Sequence, residues 1–186
     1  ALGMLKELTR QTEKLEFLIQ SLTKMSRLES NIVEVRPEKQ PILPLLSEVI
    51  DEAVAKAEQK RITIHNTYEG EACASFDFKW TKEAVGNVLD NAVKYSPAGS
   101  TVTISVTEYE MYLAVSIKDE GIGIREEEIP KIFGRFYRAE EVRQEEGVGI
   151  GLYLTREILK KEDGYVKVKS KPGEGAEFMI YLHKGR

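Results

Sequence analysis

The sequence is poor in the residues that staple or metallate small folds. It has one cysteine, Cys73, in 186 residues, so no internal disulfide is available and the fold must stand on its hydrophobic core. It has two histidines, His65 and His183, far apart in the chain, and no Cys/His cluster with the spacing of a zinc site. No apolar run reaches the roughly 18 residues of a membrane-spanning helix, and no secretory leader is legible; the chain as given reads as soluble. A basic excess is also lacking. The net charge is -4, which argues against a nucleic-acid-binding surface. There is no internal repeat and no low-complexity tract. With 41% apolar residues the chain can bury a core, and its length suits one domain plus an extension.

The extension is at the start. Residues 1–30 contain no proline and only Gly3, and Ala1, Leu8, Leu15 and Leu22 recur every seven residues. Met4, Leu18 and Met25 follow members of that series by three, Gln11 breaks the second set, and Leu5 and Ile19 widen the stripe. This is the seam of a bundle or coiled-coil helix, preferred here over a helix packed on its own domain because the other face is highly charged. Such a stripe needs a partner helix. "ESNIVEVRPEKQP" then breaks the pattern: Ile32, Val33 and Val35 suggest a short strand, and Pro37, Pro41 and Pro44 mark a border near residue 31.

Beyond it, residues 45–60 return to helical period and 61–69 read as a strand. Residues 79–95 read as a helix that Pro97 ends, and 101–119 as two strands around a tight turn. A glycine-rich turn, a short acidic helix from Glu126, a polar loop, a second glycine turn and a helix from about Ile150 follow, before the strands "YVKVKS" and "AEFMIYL". The expected fold is a two-layer α/β sandwich with a mixed sheet, preceded by one long helix.

Chemistry concentrates between residues 83 and 152. At about 100° per residue, Glu83, Asn87, Asn91 and Lys94 fall within about 80° of one another on the helix at 79–95, opposite Val85, Val88, Leu89 and Ala92. An Asn amide oxygen suits Mg²⁺, and a lysine one turn on suits a phosphate. A solvated helix face is the plain alternative. "DEGIGI" follows a strand, with Gly121 and Gly123 permitting a tight turn and Asp119 able to accept from an exocyclic amine such as that of adenine. In "GVGIGL", Gly147, Gly149 and Gly151 precede a helix and can cradle phosphate on backbone N–H groups; no P-loop Gly-Lys-Ser/Thr follows. Between the two turns, "IFGRFYRAEEVRQEE" sets Phe133, Phe136 and Tyr137 before a charged tail, as in a lid, with Arg135 or Arg138 able to reach a phosphate.

In this order and spacing, the two asparagines, the D-x-G-x-G turn, the aromatic segment and the G-x-G-x-G turn resemble the N, G1, F and G2 boxes of sensor histidine kinases. That group shares a superfamily with the gyrase-type, chaperone and mismatch-repair ATPases. The resemblance covers about 37–184 as an ATP-binding catalytic domain. The helix at 1–31, ending in "SRLES", is similar to the second helix of the kinase dimerisation domain. It implies ATP and Mg²⁺ as ligands, with Asn91 on the metal, Asn87 along the phosphates, Lys94 on phosphate and Tyr95 near the adenine or ribose. Asp119 would bind the adenine amino group in a pocket shaped by Gly121 and Gly123. Gly147, Gly149 and Gly151, with Leu152, would hold the phosphates under the lid, and Arg138 would reach the γ-phosphate.

The ATPase branches place a water-activating Glu where this chain has Asn87, and an amide cannot serve as that base. ATP is therefore expected to be held for transfer. Glu83 is expected to have a structural role. The family's phosphate-accepting histidine lies in a segment like His-Glu-Leu-Arg-Thr-Pro, which is absent here; His65 and His183 have neither its neighbours nor its helical context. The resemblance further implies a homodimer in the full-length protein and a response regulator as partner, with this part cytoplasmic and making no membrane contact. The competing readings are a serine-kinase relative of the same fold and a non-catalytic nucleotide-binding module.

Overall fold

The computed structural model describes residues 2–139 and 147–185. Ala1 of the heptad series and residues 140–146 of the expected lid lie outside the described residues. Helix α1 spans Leu2–Glu29. Over its first two-thirds the apolar stripe faces outward: Leu5, Leu8, Leu15, Phe17 and Ile19 are all exposed. Only its last turns are covered, with Met25 and Leu28 buried. The two expectations for this helix thus divide it, a free seam along most of its length and packing on its own chain at the end.

The rest begins with β1 (Glu38–Pro41), which pairs antiparallel with β3 (Cys73–Phe76) as a separate ribbon. Between them lie α2 (Leu43–Gln59) and β2 (Thr63–Asn66). Then come α3 (Phe78–Tyr95), β4 (Thr101–Glu108), β5 (Tyr112–Lys118), α4 (Gly151–Lys161), β6 (Tyr165–Ser170) and β7 (Ala176–His183). Five strands form one sheet in the order β2-β4-β5-β7-β6. The β2–β4 pair is parallel and the others antiparallel, giving the expected mixed sheet.

Alternation along the strands decides which face is dry. Val102, Ile104, Leu113, Val115, Ile117, Phe178, Ile180 and Leu182 point to the helices and join Leu45, Leu46 and Val49 of α2 and Val85, Val88, Leu89 and Ala92 of α3 in one core. A second, smaller core joins Met25 and Leu28 of α1 to Trp80 and Ala84 of α3 and to Tyr153, Leu154 and Ile158 of α4. No described helix is long and apolar enough to cross a membrane.

Three local expectations need correction. Residues 32–35 form no strand; Val33 and Val35 instead pack on the smaller core, whose demand for apolar side chains accounts for their alternation. Pro44, read as a border marker, sits in the first turn of α2, where a missing N–H costs nothing. The stretch from Glu126 makes successive turns in place of a helix. Glu128 there is buried, accepting from the Tyr137 hydroxyl at 3.0 Å and paired with Arg125 at 3.2 Å.

The start of α3 depends on a buried acid. Asp77 caps the helix, accepting from the Trp80 N–H at 3.2 Å. The Glu162 carboxylate, just past α4, accepts from the Asp77 N–H at 2.9 Å and from the Thr81 hydroxyl at 2.8 Å. Burial of this carboxyl pushes its pKa up to about 7. Between the unfolded value near 4.5 and about 7, the folded state keeps a proton that the unfolded chain has lost. Stability therefore falls as pH rises through this window, by up to roughly 3 kcal/mol. Glu162→Gln keeps an acceptor and has no proton to lose. Measured by urea unfolding at pH 5 and pH 8, its stability relative to wild type is expected to rise at the higher pH by on the order of 2 kcal/mol. Parallel pH profiles for the two proteins would show that Glu162 titrates as an ordinary carboxylate.

Candidate functional site

The polar stripe of α3 is met by both glycine turns. The Asn87 amide donates to the carbonyl of Gly151 at 3.1 Å, and a Cβ added at Gly151 would come within 3.6 Å of the Asn87 side chain. A Cβ at Gly147 would lie 2.9 Å from Lys94 Nζ. One at Gly149, whose φ is +77°, would lie 2.7 Å from the carbonyl of Tyr137 and 3.1 Å from Arg138 Cγ. The 147–151 turn is thus seated between α3 and the end of the aromatic segment, and at Gly149 the approach to backbone is one only glycine permits. It leads into α4, whose N-cap Ile150 offers no side-chain bond, so the first N–H groups of the helix remain open to an anion. Leu152, one residue into α4, is half-buried against the main core.

The other turn is built on Asp119, at the end of β5 and only 6% exposed. Its Oδ1 accepts from the N–H of Gly121 at 2.8 Å and of Ala176 at 3.1 Å. Oδ2 takes no hydrogen bond among the described residues. Burial raises the pKa of this carboxyl, and the two backbone N–H groups oppose the rise. A Cβ at Gly121 would sit 2.7 Å from the carbonyl of Tyr95, which fixes the turn against the last residue of α3. Gly123, at φ +71°, would place a Cβ 1.9 Å from the carbonyl of Lys171.

Asn91 is half-buried and makes no side-chain hydrogen bond among the described residues. Lys94 Nζ stands 5.1 Å from the ring centroid of Tyr95. Among the described residues no group of three or more His, Cys, Asp or Glu side chains could hold a metal. A cation held at Asn91 would draw its other oxygens from a ligand or water, a donor set that suits Mg²⁺.

Two polar residues of the region turn away from this site. Glu83 pairs with Lys24 of α1 at 3.0 Å. Arg135 pairs with Glu29 of α1 and lies 4.9 Å from the ring of Tyr153, whose hydroxyl donates to Glu29 at 2.7 Å. Of the two arginines, Arg138 is the one beside the glycine turn. His65 and His183 lie on the outer face of the sheet, His65 in register with Thr103 and His183 with Tyr112. The sequence reading missed the partners of Asp119. Gly175, at φ +75°, would set a Cβ 2.1 Å from the Asp119 carbonyl, and the Ala176 N–H reaches its carboxylate. The "PGEGA" spacing before the last strand is the signal that could have revealed them.

A mixed α/β sandwich with glycine turns closing on an asparagine-bearing helix is a nucleotide-binding arrangement. Residues 76–186 match the family of histidine kinase-, DNA gyrase B- and HSP90-like ATPases, and the chain belongs to it as an ATP-binding domain of the sensor histidine kinase kind. It is 32% identical over 176 residues to the sensor histidine kinase WalK of Bacillus subtilis, covering 92% of this chain and 29% of WalK. It is 30% identical to the sensor protein SrrB of Staphylococcus aureus, covering 94% of this chain and 30% of SrrB. The chain thus spans under a third of the length of these relatives. Among solved structures, full-length ShkA in complex with AMPPNP shares the fold at TM-score 0.81 and 23% identity, over 95% of this chain and 38% of that one. The mycobacterial sensor histidine kinase MprB aligns at TM-score 0.65 and 27% identity, over 79% of this chain and 97% of that one.

The unshared Oδ2 of Asp119 gives a direct test. If Asp119 takes the adenine amino group, Asp119→Asn sets a donor against that donor, and ATP affinity by calorimetry is expected to fall by at least about tenfold. Affinity of the wild-type protein is expected to weaken on acidification, beginning at a higher pH than an ordinary aspartate would give, because burial raises this pKa. An ATP affinity unchanged in D119N would remove Asp119 from the adenine pocket.

Proposed function

We propose that this chain holds Mg-ATP and, within a longer sensor kinase, donates the γ-phosphoryl group to a histidine, from which it passes to an aspartate of a response regulator. The supporting observation is that both glycine turns close on one side of α3, Gly147 against Lys94, Gly151 against Asn87 and Gly121 against Tyr95. In this reading Asp119 takes the adenine amino group, with Gly121 and Gly123 shaping the pocket and Tyr95 beside the base or ribose. Asn87, Lys94 and the 147–151 turn hold the phosphates, and Arg138 reaches the γ-phosphate. Mg²⁺, bound through Asn91 and phosphate oxygens, would neutralise charge on the phosphates. Catalysis is then a matter of positioning and charge stabilisation.

The fragment divides into residues 1–31, the second helix of a dimerisation domain, and 37–184, the catalytic domain. The exposed seam of α1 is the surface for the homodimer of the full protein, and the fragment belongs to the cytoplasmic part of a membrane-bound sensor. The named relatives favour this reading over a serine kinase of the same fold. Against a non-catalytic nucleotide-binding module stand the complete glycine set and both asparagines.

Neither histidine of this chain can serve as acceptor, since both stand on the sheet face away from α3. Incubation with γ-labelled ATP is expected to leave no acid-labile label on the fragment; acid-labile label would refute the assignment of the acceptor to another segment. Asn91→Ala is expected to abolish the part of ATP affinity that depends on Mg²⁺ while sparing most of the metal-free affinity. A Mg²⁺ dependence equal to wild type by calorimetry would take Asn91 off the metal.

A further inference from the structure

At the end of α3 that carries Lys94 and Tyr95, the Ser96 hydroxyl donates to the Ala92 carbonyl at 2.6 Å, and the carbonyls beyond it need other donors. Ser96 at the C-cap is extended, with φ -79° and ψ +143°, so no left-handed residue folds the chain back over the last carbonyls. A lysine from another helix does this instead. Lys60, the C-cap residue of α2, sends its ammonium across to donate to the carbonyls of Val93 at 2.9 Å, Lys94 at 2.5 Å and Ser96 at 3.1 Å. An ammonium has three N–H donors, and each finds an acceptor. The cation also meets the negative end of the helix dipole.

The base of this lysine is held firmly. The Lys60 N–H donates to the Ala57 carbonyl at 3.1 Å, and Arg61, next in the chain, adopts φ +58°. The Arg61 carbonyl accepts from the Gly99 N–H at 2.9 Å, which fixes the loop leaving α3 to the same point. The carbonyl of Tyr95, between the acceptors of Lys60, is the atom the Gly121 turn rests against. One half-buried ammonium therefore sets the last turn of α3 relative to α2, and through it the placement of Lys94 beside Gly147 and of Tyr95 beside Gly121.

We infer that Lys60 is a positioning residue for nucleotide binding: it holds the Lys94–Tyr95 turn in register with both glycine turns and touches no ligand itself. The inference rests on the reading of this site as the Mg-ATP site. Its test compares wild type with Lys60→Met, Lys60→Arg and Lys56→Met. Lys56 lies on the same helix but pairs with Asp90 on the exposed side, so K56M controls for loss of charge. Mg-ATP affinity is measured by calorimetry at a temperature where every variant is folded, and backbone amide exchange is followed without ligand.

K60M is expected to weaken Mg-ATP binding about tenfold, K60R to return it to within about threefold of wild type, and K56M to leave it unchanged. Exchange is expected to quicken in K60M around Lys94–Ser96 and not at Val85–Leu89. K60M that loses stability yet binds Mg-ATP within about twofold of wild type would reduce Lys60 to a simple helix cap and overturn the inference. So would a K60R no better than K60M. Should K60M fail to fold, Lys60→Gln carries the same comparison. Wild-type protein that fails to bind Mg-ATP would instead refute the site reading itself.

Discussion

Val85, Val88, Leu89 and Ala92 press α3 into the sheet, and on the same helix Asn87 and Lys94 meet the 147–151 turn. A helix can meet both demands only because 3.6 residues per turn put the two sets on separate faces. The core fixes the depth of α3, so the polar face arrives at a set height above the sheet. Asp119 at the end of β5 is referenced to that sheet by backbone hydrogen bonds to Ala176 of β7. The distance from Asp119 to the asparagines is therefore a property of the core. Core substitutions that tilt α3 act on ligand geometry as well as on stability.

Charge in the site is set for a ligand that is itself strongly negative. The helix contributes neutral amides and one lysine, and its only acid in the stripe, Glu83, is drawn off by Lys24. Arg138 and the open N–H groups at the start of α4 stand around the glycine turn. Asp119 is spent largely on two backbone N–H donors at Oδ1, while Oδ2 takes no hydrogen bond among the described residues. In the proposed reading, an amide at position 87 would hold phosphate without activating water, which would keep ATP intact until a nucleophile stronger than water is presented.

Much of this was legible because it is periodic or local. The wheel at 81–95 separated core from stripe correctly, and strand alternation predicted β4, β5, β6 and β7. The failures are nonlocal. Val33 and Val35 alternate because the smaller core takes them, and no strand is involved. Strand β3 was not anticipated, because its four residues are recognisable only through pairing with β1. Glu83, expected to be structural, finds its partner Lys24, and Arg135 its partner Glu29, on α1, 59 and 106 positions away by residue number, which no local pattern shows. Lys60 gives no signal at all in sequence, since its three acceptors are main-chain atoms of another helix.

The grip of α1 on the catalytic body bears on the proposed transfer. In that proposal the acceptor histidine lies on a helix paired with α1, so the strength of the contact between α1 and the body would set how readily the body shifts along it. Its ion pairs, Lys24–Glu83 and Arg135–Glu29, are partly open to water, where screening lowers the net strength of such pairs. Its apolar part rests on Met25 and Leu28, worth roughly 2 kcal/mol each when fully covered. That is enough to favour one docked arrangement and too little to forbid another. Arg135 belongs to the same segment as Arg138, and the segment's base also supports the 147–151 turn through the Tyr137 carbonyl. One segment of chain therefore touches both α1, through Arg135, and the 147–151 turn, through Tyr137.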